Sequence, residues 1–470
     1  MAPGAPDGGR PARGRVARTA RLAALPAAHV ARSAVGLGKR LGGRPAELVA
    51  AQVQQRTAEQ LFSTLGQLKG GAMKAGQALS ALEAALPEQL VGPYREALVR
   101  LQEAAPAMPT AMVHDQLDRS FPGGWRGLFR EFDDRPVAAA SVGQVHRATW
   151  YDGTPVAVKI QYPGAGDALV ADLGMLQHLA PVMQAAAPGL DARQLIAELR
   201  DRLADEVDYV LEADAQMAFA GAYRDDPDIH VPDVVAVEDR VLTTRWVSGV
   251  PLSRVIAEGT RAQRDRAGLL LVRLFASGPV RARRLHGDPH PGNFRLLPDG
   301  RLAVLDFGAT EQMPHAWPER LGPLLAAGRD REGPTVHELA AAAGLLQPGK
   351  VTAPALMDLL DPYLEPLRSP AYHFTRGWLQ EQTRRVSDPR SAAARTQRRL
   401  VIPPRHLLLQ RVAAGLVGVL CSLDATVPVD EEVRRWLPGY DQAPVTRRSA
   451  PDNSVRHSST PHPPSPRPPT

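Results

Sequence analysis

Alternating apolar and polar residues predict a short strand in the first half of the chain. Val156, Val158 and Ile160 are apolar and are separated by single residues, so they share one face of the strand. Lys159 falls on the opposite face. The pattern therefore predicts a half-buried strand that presents a lysine away from the core.

A spacing of three to four residues predicts a helix within residues 191–222. Its repeating positions are Leu195, Leu199, Leu203, Glu206 and Val210. Glu206 thus lies on the buried stripe, where a carboxylate is costly unless it is paired, and Lys159 is the predicted partner. Asp208 and Glu212 fall on a neighbouring face, where a solvated role and a functional role are equally open.

Two motifs in the second half of the chain can build a site for metal and phosphate. Residues 286–293 read His-Gly-Asp-Pro-His-Pro-Gly-Asn, and an Asp-Phe-Gly triplet begins at residue 306. In a D-x-x-x-x-N loop the Asp orients or deprotonates an attacking hydroxyl and the Asn holds a metal, which a D-F-G Asp bridges to ATP phosphates. We assign these roles to Asp288, Asn293 and Asp306, and we expect Lys159 to reach the same phosphates.

A predicted hairpin brings these motifs together. Residues 298–300 form a Pro-Asp-Gly turn and residues 301–305 read as a strand. One alternative is that the acidic residues only cap turns. Another is a metal site made by His286, Asp288 and His290, although it lacks thiolates and a His-Glu-x-x-His helix.

An alanine-rich segment precedes the lysine strand, where a kinase would carry a glycine-rich loop over the phosphates. Three alanines replace the glycines, and each Cβ restricts the backbone and the space for a nucleotide. We expect a stiffer loop that still binds nucleotide. Its residues are Ala138, Ala139, Ala140, Ser141, Val142, Gly143, Gln144 and Val145.

Taken in order, the motifs resemble those of the UbiB or aarF-domain-containing atypical kinases, which are linked to isoprenoid-quinone biosynthesis. The resemblance extends over about residues 46–425 and includes a Lys-x-Gly-Gln motif that is specific to that family. The motifs occupy residues 74–77, 138–144, 156–159, 206–208, 286–293 and 306–308.

The resemblance implies an α+β, bilobal protein-kinase-like fold with a helical N-terminal extension over the active site, a β-rich N-lobe and a mainly helical C-lobe. Lys74 and Gln77 would then face the nucleotide, Glu206 would pair with Lys159, and Asp208 would help to hold the extension. One position departs from the family: it commonly has an acidic residue near the hinge, where this chain has Arg245. That departure bears on nucleotide selectivity.

Composition adds a cellular setting. The chain has 470 residues, of which 44% are hydrophobic and 23% charged, as in ordinary globular proteins, and its one cysteine fits a reducing cytoplasm. A net charge of +6 comes largely from the tails. We interpret the arginine-rich arm as a contact for an anionic membrane, with a transit segment as the alternative. Nothing indicates nucleic-acid binding.

No stretch is long enough to span a bilayer, and residues 412–423 read as a core helix. We expect a disordered basic tail over 1–45, the extension over 46–130, the N-lobe over 131–250, the C-lobe over 251–440 and a disordered Pro-rich tail over 441–470. Any membrane contact is then peripheral on the inner face, and a homo-oligomer is open.

The predicted function is an ATPase or kinase that uses Mg²⁺ and ATP, acts on a lipid-like or quinone-precursor molecule and does not phosphorylate proteins in trans. Two alternatives remain. One is a small-molecule phosphotransferase of the aminoglycoside or choline kinase type, and the other is a nucleotide-gated lipid-binding scaffold.

Overall fold

The computed structural model describes residues 107–140, 142–164, 207–314, 317–388, 390–401 and 404–441. Its strands are β1 Phe129–Ala139, β2 Gly143–Trp150, β3 Pro155–Gln161, β4 Ile229–His230, β5 Val234–Glu238, β6 Val241–Arg245, β7 Val250–Pro251, β8 Arg284–His286, β9 Phe294–Leu296, β10 Leu302–Val304, β11 Thr310–Gln312, β12 Tyr372–His373 and β13 Thr426–Val427. Its α-helices are α1 Thr110–Ser120, α2 Tyr209–Ala222, α3 Leu252–Glu258, α4 Arg261–Arg281, α5 Trp317–Arg329, α6 Gly333–Ala342, α7 Ala353–Leu364, α8 Arg376–Ser387, α9 Ala392–Gln397, α10 Pro404–Leu423 and α11 Val429–Trp436.

The N-terminal lobe is built on an antiparallel sheet with the strand order β1-β2-β3-β6-β5. The predicted alternation in β3 is confirmed, since Val156, Val158 and Ile160 are fully buried on one face. Lys159 lies on the other face, directly opposite Val145 of β2 and, on the far side, Leu242 of β6. The sheet therefore separates an apolar core from the face that carries the lysine.

Helix α1 covers the apolar face of this sheet. Val113 and Leu117 of α1 are fully buried in the same cluster as the β3 side chains. Aromatic rings complete the layer, with Trp125 and Phe132 packed edge to face at a centroid distance of 5.3 Å. Because α1 occupies this face, the lysine face is the one that remains for helix α2 and the second lobe.

Helix α2 differs from the helix predicted within residues 191–222. It begins at Tyr209, because Asp208 has an extended backbone and accepts hydrogen bonds from the Val210 and Leu211 amides as an N-cap. The helical phase read from upstream leucines does not carry through this break. As a result Val210, predicted on the buried stripe, is 54% exposed, whereas Glu212 is 2% exposed.

The second lobe is mostly helical and is organised around α4. The side chains of Leu270, Leu271 and Leu274 in α4 are buried in a cluster that also contains apolar residues of strands β8, β9 and β10. Arg273 of the same helix donates to Asp228 and to Glu432 of α11, so one guanidinium joins three segments. A β-sheet lobe followed by a helical lobe confirms the predicted α+β, kinase-like class.

The apolar segment at residues 412–423 lies within α10, as a core helix. Val412, Leu420 and Cys421 are buried against the α4 cluster, which explains its hydrophobicity. Among the residues that the structure describes, no helix is both long and apolar enough to cross a bilayer.

Candidate active site

The strands β8 and β11 pair and bring the His-Gly-Asp loop against the segment that follows Asp-Phe-Gly. The Gly287 amide donates to the Ala309 carbonyl oxygen at 2.5 Å. A Cβ on Gly287 would lie 2.3 Å from that oxygen, far inside van der Waals contact. Glycine is therefore required at this position for the two motifs to approach each other.

His286 links the two motifs by its side chain. Its Nε2 donates to the Asp306 carbonyl oxygen at 2.6 Å, and its Nδ1 accepts from the Asp288 amide at 3.4 Å. Burial lowers the pKa of His286, which favours the neutral ring that this arrangement needs. Both ring nitrogens are engaged within the protein, so the alternative of a metal site containing His286 has no support here.

Asp288 is held by the turn that follows it. Its Oδ2 accepts from the Asn293 amide nitrogen at 2.9 Å, and its Oδ1 accepts from the His290 amide at 3.2 Å. Both carboxylate oxygens of Asp288 thus accept from the turn. Because the Asn293 nitrogen faces Asp288, its amide oxygen is left as an acceptor.

The predicted hairpin is confirmed and sets the position of Asp306. Strands β9 and β10 pair with Leu302 opposite Leu296, and Gly300 takes a φ of +82° in the turn. The Leu305 amide donates to the Asn293 carbonyl oxygen at 2.9 Å. Asp306, the next residue, thus emerges beside the Asp288–Asn293 turn.

Lys159 joins the lobes through two carboxylates. Its Nζ lies 2.6 Å and 2.8 Å from the two oxygens of Glu212 and 3.3 Å from Oδ2 of Asp306. The Tyr209 ring lies 5.2 Å from the same Nζ. The side chains of Lys159 and Glu212 are 13% and 2% exposed, so this pair is largely desolvated, whereas the Asp306 side chain is 34% exposed. We call Lys159, Glu212 and Asp306 the charge triad.

The charge triad carries one positive and two negative charges. Burial by itself would lower the pKa of Lys159, but Asp306 and Glu212 outweigh burial and raise it, so the amine stays charged. Burial would raise the pKa of Asp306, but the positive charge of Lys159 and the Gly308 amide hold it below the usual value. Burial raises the pKa of Glu212 against the opposing effect of Lys159. One lysine does not neutralise both acids, which leaves an excess negative charge for a cation.

The structure shows Glu212 as a partner of Lys159, whereas the pairing predicted for Glu206 stays a prediction. Glu206 lies outside the described residues, and both Glu212 oxygens contact the lysine. Helix α2 begins after the N-cap at Asp208, and Glu212 in its first turn points inward. Asp208 itself acts as that cap, and its predicted contact with the extension stays a prediction.

The alanine-rich segment forms the end of a hairpin. Ala138 and Ala139 belong to β1 and are exposed, and Ala139 pairs with Gln144. The Ala140 amide donates to the Gly143 carbonyl oxygen at 2.9 Å and closes the turn. Val142, beyond the turn, is buried against Tyr209 of α2.

Gln144 was predicted to face the nucleotide, and its side chain does not. It is 1% exposed and lies on the face of β2 opposite Val145, the residue that pairs with Lys159. Side chains alternate along a strand, so adjacent residues cannot both face the lysine. The remaining predicted residues, Ser141, Lys74 and Gln77, lie outside the described residues.

Sequence reasoning missed the support that helix α10 gives to the loop at residues 286–293, which we call the catalytic loop. Arg411 donates to the Gly287 carbonyl oxygen at 3.0 Å. A Cβ on Gly415 would lie 2.6 Å from Cγ of Pro289, so the helix backbone touches the loop. No sequence periodicity relates Arg411 to a loop more than a hundred residues away. The one local signal was Gly415, because a glycine inside an apolar helix indicates that another backbone packs closely there.

The oxygens around Asp306 and Asn293 fit a hard divalent cation such as Mg²⁺, which prefers oxygen ligands and keeps several waters. Within the described ranges, no group of three or more His, Cys, Asp or Glu side chains is arranged to hold a metal. A cation here would therefore share its coordination with a bound phosphate, as the D-x-x-x-x-N and D-F-G chemistry requires.

Arg245 is turned away from this site. Its Nε lies 3.3 Å from Oδ2 of Asp233, and both side chains are more than half exposed. The next residue, Trp246, has the Arg147 guanidinium at 5.1 Å from its ring centroid. The unusual arginine thus pairs at the protein surface, where β6 ends.

Replacing Lys159 with methionine should destabilise the fold because Glu212 and Asp306 would remain together without a cation. We expect the free energy of unfolding to fall by roughly 3–5 kcal/mol at neutral pH. Burial and mutual repulsion would raise both carboxylate pKa values in the folded variant. The loss should then be smallest below the ordinary carboxylate pKa of about 4 and grow as pH rises, as measured by denaturant titration.

In the wild type the pKa of Asp306 is lowered, so ionised Asp306 stabilises the fold instead of destabilising it. Its contribution to stability is present above the ordinary aspartate pKa of about 3.9 and is lost as pH falls through the lower folded-state pKa. Glu212→Gln keeps the Lys159–Asp306 pair and should cost less than Lys159→Met. A Lys159→Met protein with the stability and pH profile of the wild type would contradict the charge triad.

Helix α10 offers a matched pair of glycine substitutions. Gly418→Ala should stabilise the fold by up to about 1 kcal/mol, because alanine favours helix and a Cβ there meets nothing within 4 Å. Gly415→Ala should instead destabilise it by roughly 1–3 kcal/mol, because the methyl group displaces Pro289. Thermal unfolding measures both, and equal shifts in the same direction would refute the contact with the loop.

Comparisons with known proteins identify chains that are similar to this one. A solved structure titled as a complex of Rv3197 with erythromycin, from Mycobacterium tuberculosis, is 43% identical, with a TM-score of 0.65, and the match covers 85% of this chain and all of that one. The "Atypical kinase coq-8, mitochondrial" of Caenorhabditis elegans is 33% identical over 293 residues, which is 60% of this chain and 38% of that protein.

The "Atypical kinase COQ8, mitochondrial" of Saccharomyces cerevisiae is 31% identical over 296 residues, which is 61% of this chain and 57% of that protein. The match thus spans about half the length of these two curated relatives. The family model described as the ABC1 atypical kinase-like domain matches residues 100–338. That range contains the sheet, the charge triad and the catalytic loop, and the chain therefore belongs to the ABC1 atypical kinase-like family.

Proposed function

We propose that the chain is an ATPase or small-molecule kinase that uses Mg²⁺ and ATP and supports isoprenoid-quinone or related lipid metabolism. The observation that carries this proposal is the intact charge triad beside the Asp288–Asn293 turn. A lysine held by a helix-borne carboxylate and by a D-F-G aspartate is the arrangement that positions ATP phosphates. The relatives named as COQ8 kinases support the family's link with coenzyme metabolism.

Each residue has a distinct part in this proposal. Lys159 contacts the nucleotide phosphates, and Glu212 fixes the direction of its amine. Asp306 and the Asn293 oxygen hold Mg²⁺, which would neutralise charge on the transferred phosphoryl group. Asp288, held in place by two N–H donors, orients or deprotonates the attacking hydroxyl or water.

The extension would decide what reaches Asp288. We propose that Lys74 and Gln77 occupy the place of a protein substrate, so that water or a small lipid-like molecule is the acceptor. The mycobacterial neighbour was solved with erythromycin, which favours an amphipathic small molecule as a ligand class. Peripheral contact with an anionic membrane through the basic arm would deliver such a molecule.

Two other functions make different demands on the same residues. A phosphotransferase of the aminoglycoside or choline kinase type has no use for the Lys74–Gln77 motif. A nucleotide-gated scaffold has no use for Asp288 once nucleotide is bound. A quinone profile of a deletion strain that carries wild type, Asp288→Asn or Lys74→Ala separates the three, because a scaffold would be rescued by Asp288→Asn.

Nucleotide binding should require a divalent cation. Fluorescent ADP should bind the wild type at least tenfold more tightly with Mg²⁺ than with chelator, a difference of about 1.4 kcal/mol or more. Asp306→Asn should lose most of this gain, because it removes one charged ligand. Asp299→Asn makes the same substitution in the exposed hairpin turn and should bind as the wild type does. Equal wild-type affinity in Mg²⁺ and in chelator would exclude the proposed metal site.

Lys74→Ala should change what the site does with bound ATP. We expect the wild type to hydrolyse ATP while phosphorylation of generic proteins stays near background, and we expect the variant to gain self-phosphorylation. Lys69→Ala removes the same charge five residues earlier in the extension and serves as the control. Radiolabel transfer and phosphate release measure the two activities. Efficient phosphorylation of proteins by the wild type would refute the inhibitory role of the extension.

A further inference from the structure

A chain of buried hydrogen bonds lies on the face of the N-lobe sheet opposite Lys159. The Met108 amide donates to Oε1 of Gln144 at 2.7 Å, and Nε2 of Gln144 lies 2.8 Å from Nε2 of His146. Nδ1 of His146 lies 2.8 Å from the Asp133 carbonyl oxygen. Gln144 and His146 are 1% and 0% exposed, so water does not compete for these bonds.

The protons in this chain can be assigned from its two ends. A backbone amide only donates and a carbonyl only accepts, so Oε1 of Gln144 faces Met108 and Nδ1 of His146 carries the proton toward Asp133. Nε2 of His146 must then accept from Gln144. Burial lowers the pKa of His146, and Phe132 stacks on its ring at 5.1 Å, which together hold the neutral ring in place. The chain has one satisfied arrangement.

Gln144, an inner member of this chain of bonds, lies beside the nucleotide site. Gln144 sits between Gly143, where a Cβ would lie 2.1 Å from the Ile160 carbonyl oxygen, and Val145, which pairs with Lys159. It also pairs with Ala139 across the hairpin. A shift of Gln144 would therefore move both strands at the base of the alanine-rich turn.

Met108, at one end of this chain of bonds, is buried just before α1. In sequence it lies 31 residues after Gln77, within the segment 46–130 that is predicted as the extension. The side chain of Gln144 thus ties the backbone within that segment to the turn that would cover the phosphates. Apolar packing alone would not require a directional, fully satisfied bond at this point.

We propose that Gln144 is a positioning residue that couples the backbone at Met108 to the alanine-rich turn. Although its side chain lies on the face of the sheet opposite the nucleotide, this coupling changes the affinity for nucleotide. The inference rests on the proposed function, because it concerns binding of the same nucleotide. Coupling between two places is reciprocal: if the Met108 bond strengthens nucleotide binding, bound nucleotide must protect that bond by the same factor.

The test measures both sides of this coupling in the full chain. Fluorescent ADP with Mg²⁺ reports nucleotide affinity, and hydrogen–deuterium exchange, resolved by fragmentation mass spectrometry, reports the Met108 amide with and without Mg-ADP. Gln144→Leu keeps the size of the side chain and removes both bonds. Gln382→Leu is the matched control, since Gln382 is also buried but accepts from Arg385 in helix α8 of the other lobe.

We expect Gln144→Leu to weaken ADP binding roughly threefold to tenfold, about the worth of one net hydrogen bond, while Gln382→Leu leaves it unchanged. In the wild type, Mg-ADP should slow exchange at Met108 by a similar factor, and in Gln144→Leu it should not. Gln144→Glu keeps an acceptor for Met108 and should retain most of the protection. A role in stability alone would lower the melting temperature of Gln144→Leu without moving ADP affinity.

The outcomes separate this inference from the proposed function. If the wild type binds no nucleotide, the proposed function fails and the coupling fails with it. The coupling alone is overturned if the wild type binds Mg-ADP, Gln144→Leu binds it equally well, and the exchange rate of the Met108 amide is the same with and without Mg-ADP. Weaker binding together with loss of nucleotide-dependent protection at Met108 supports it.

Discussion

The contact between Lys159 and its two carboxylates is the interaction on which the rest of the site depends. Glu212 comes from a helix, Asp306 from a turn after a hairpin, and Lys159 from the middle of a sheet. A desolvated amine is costly unless acids surround it, so these segments must meet in one arrangement. The Asp208 cap, the close packing at Gly287 and the His286 bridge serve to bring the acids to the lysine.

Local periodicity made a large part of this architecture predictable. The alternation around Lys159 and the turn at Gly300 depend on neighbours within a few residues, and the structure has the predicted strand and hairpin. The proximity of the catalytic motifs could also be predicted, because Asp288 and Asn293 lie in one turn and Asp306 follows a short hairpin. Their meeting needed no knowledge of distant segments.

What could not be predicted depends on relations beyond that range. The phase of a helix can be read along a sequence only while the helix is continuous. Helix α2 starts at the Asp208 cap with a phase that buries Glu212 and exposes Val210, which the sequence pattern did not predict. The face of the sheet to which Gln144 points depends on how β1 and β2 pair. The sequence predicted a loop at these residues, so it gave no strand register from which to derive that face. The contact of Arg411 with Gly287 depends on the packing of a helix more than a hundred residues downstream.

The support of the catalytic loop by helix α10 has a consequence for the order of events during synthesis. Domains emerge from the ribosome from the N-terminus, and a segment folds stably only when its packing partners are present. The sheet with Lys159 is complete long before Arg411 and Gly415 are translated. A nascent chain can therefore contain a folded lysine strand while the loop at residues 286–293 still lacks its packing partner, so that the complete site forms only after helix α10 has been translated.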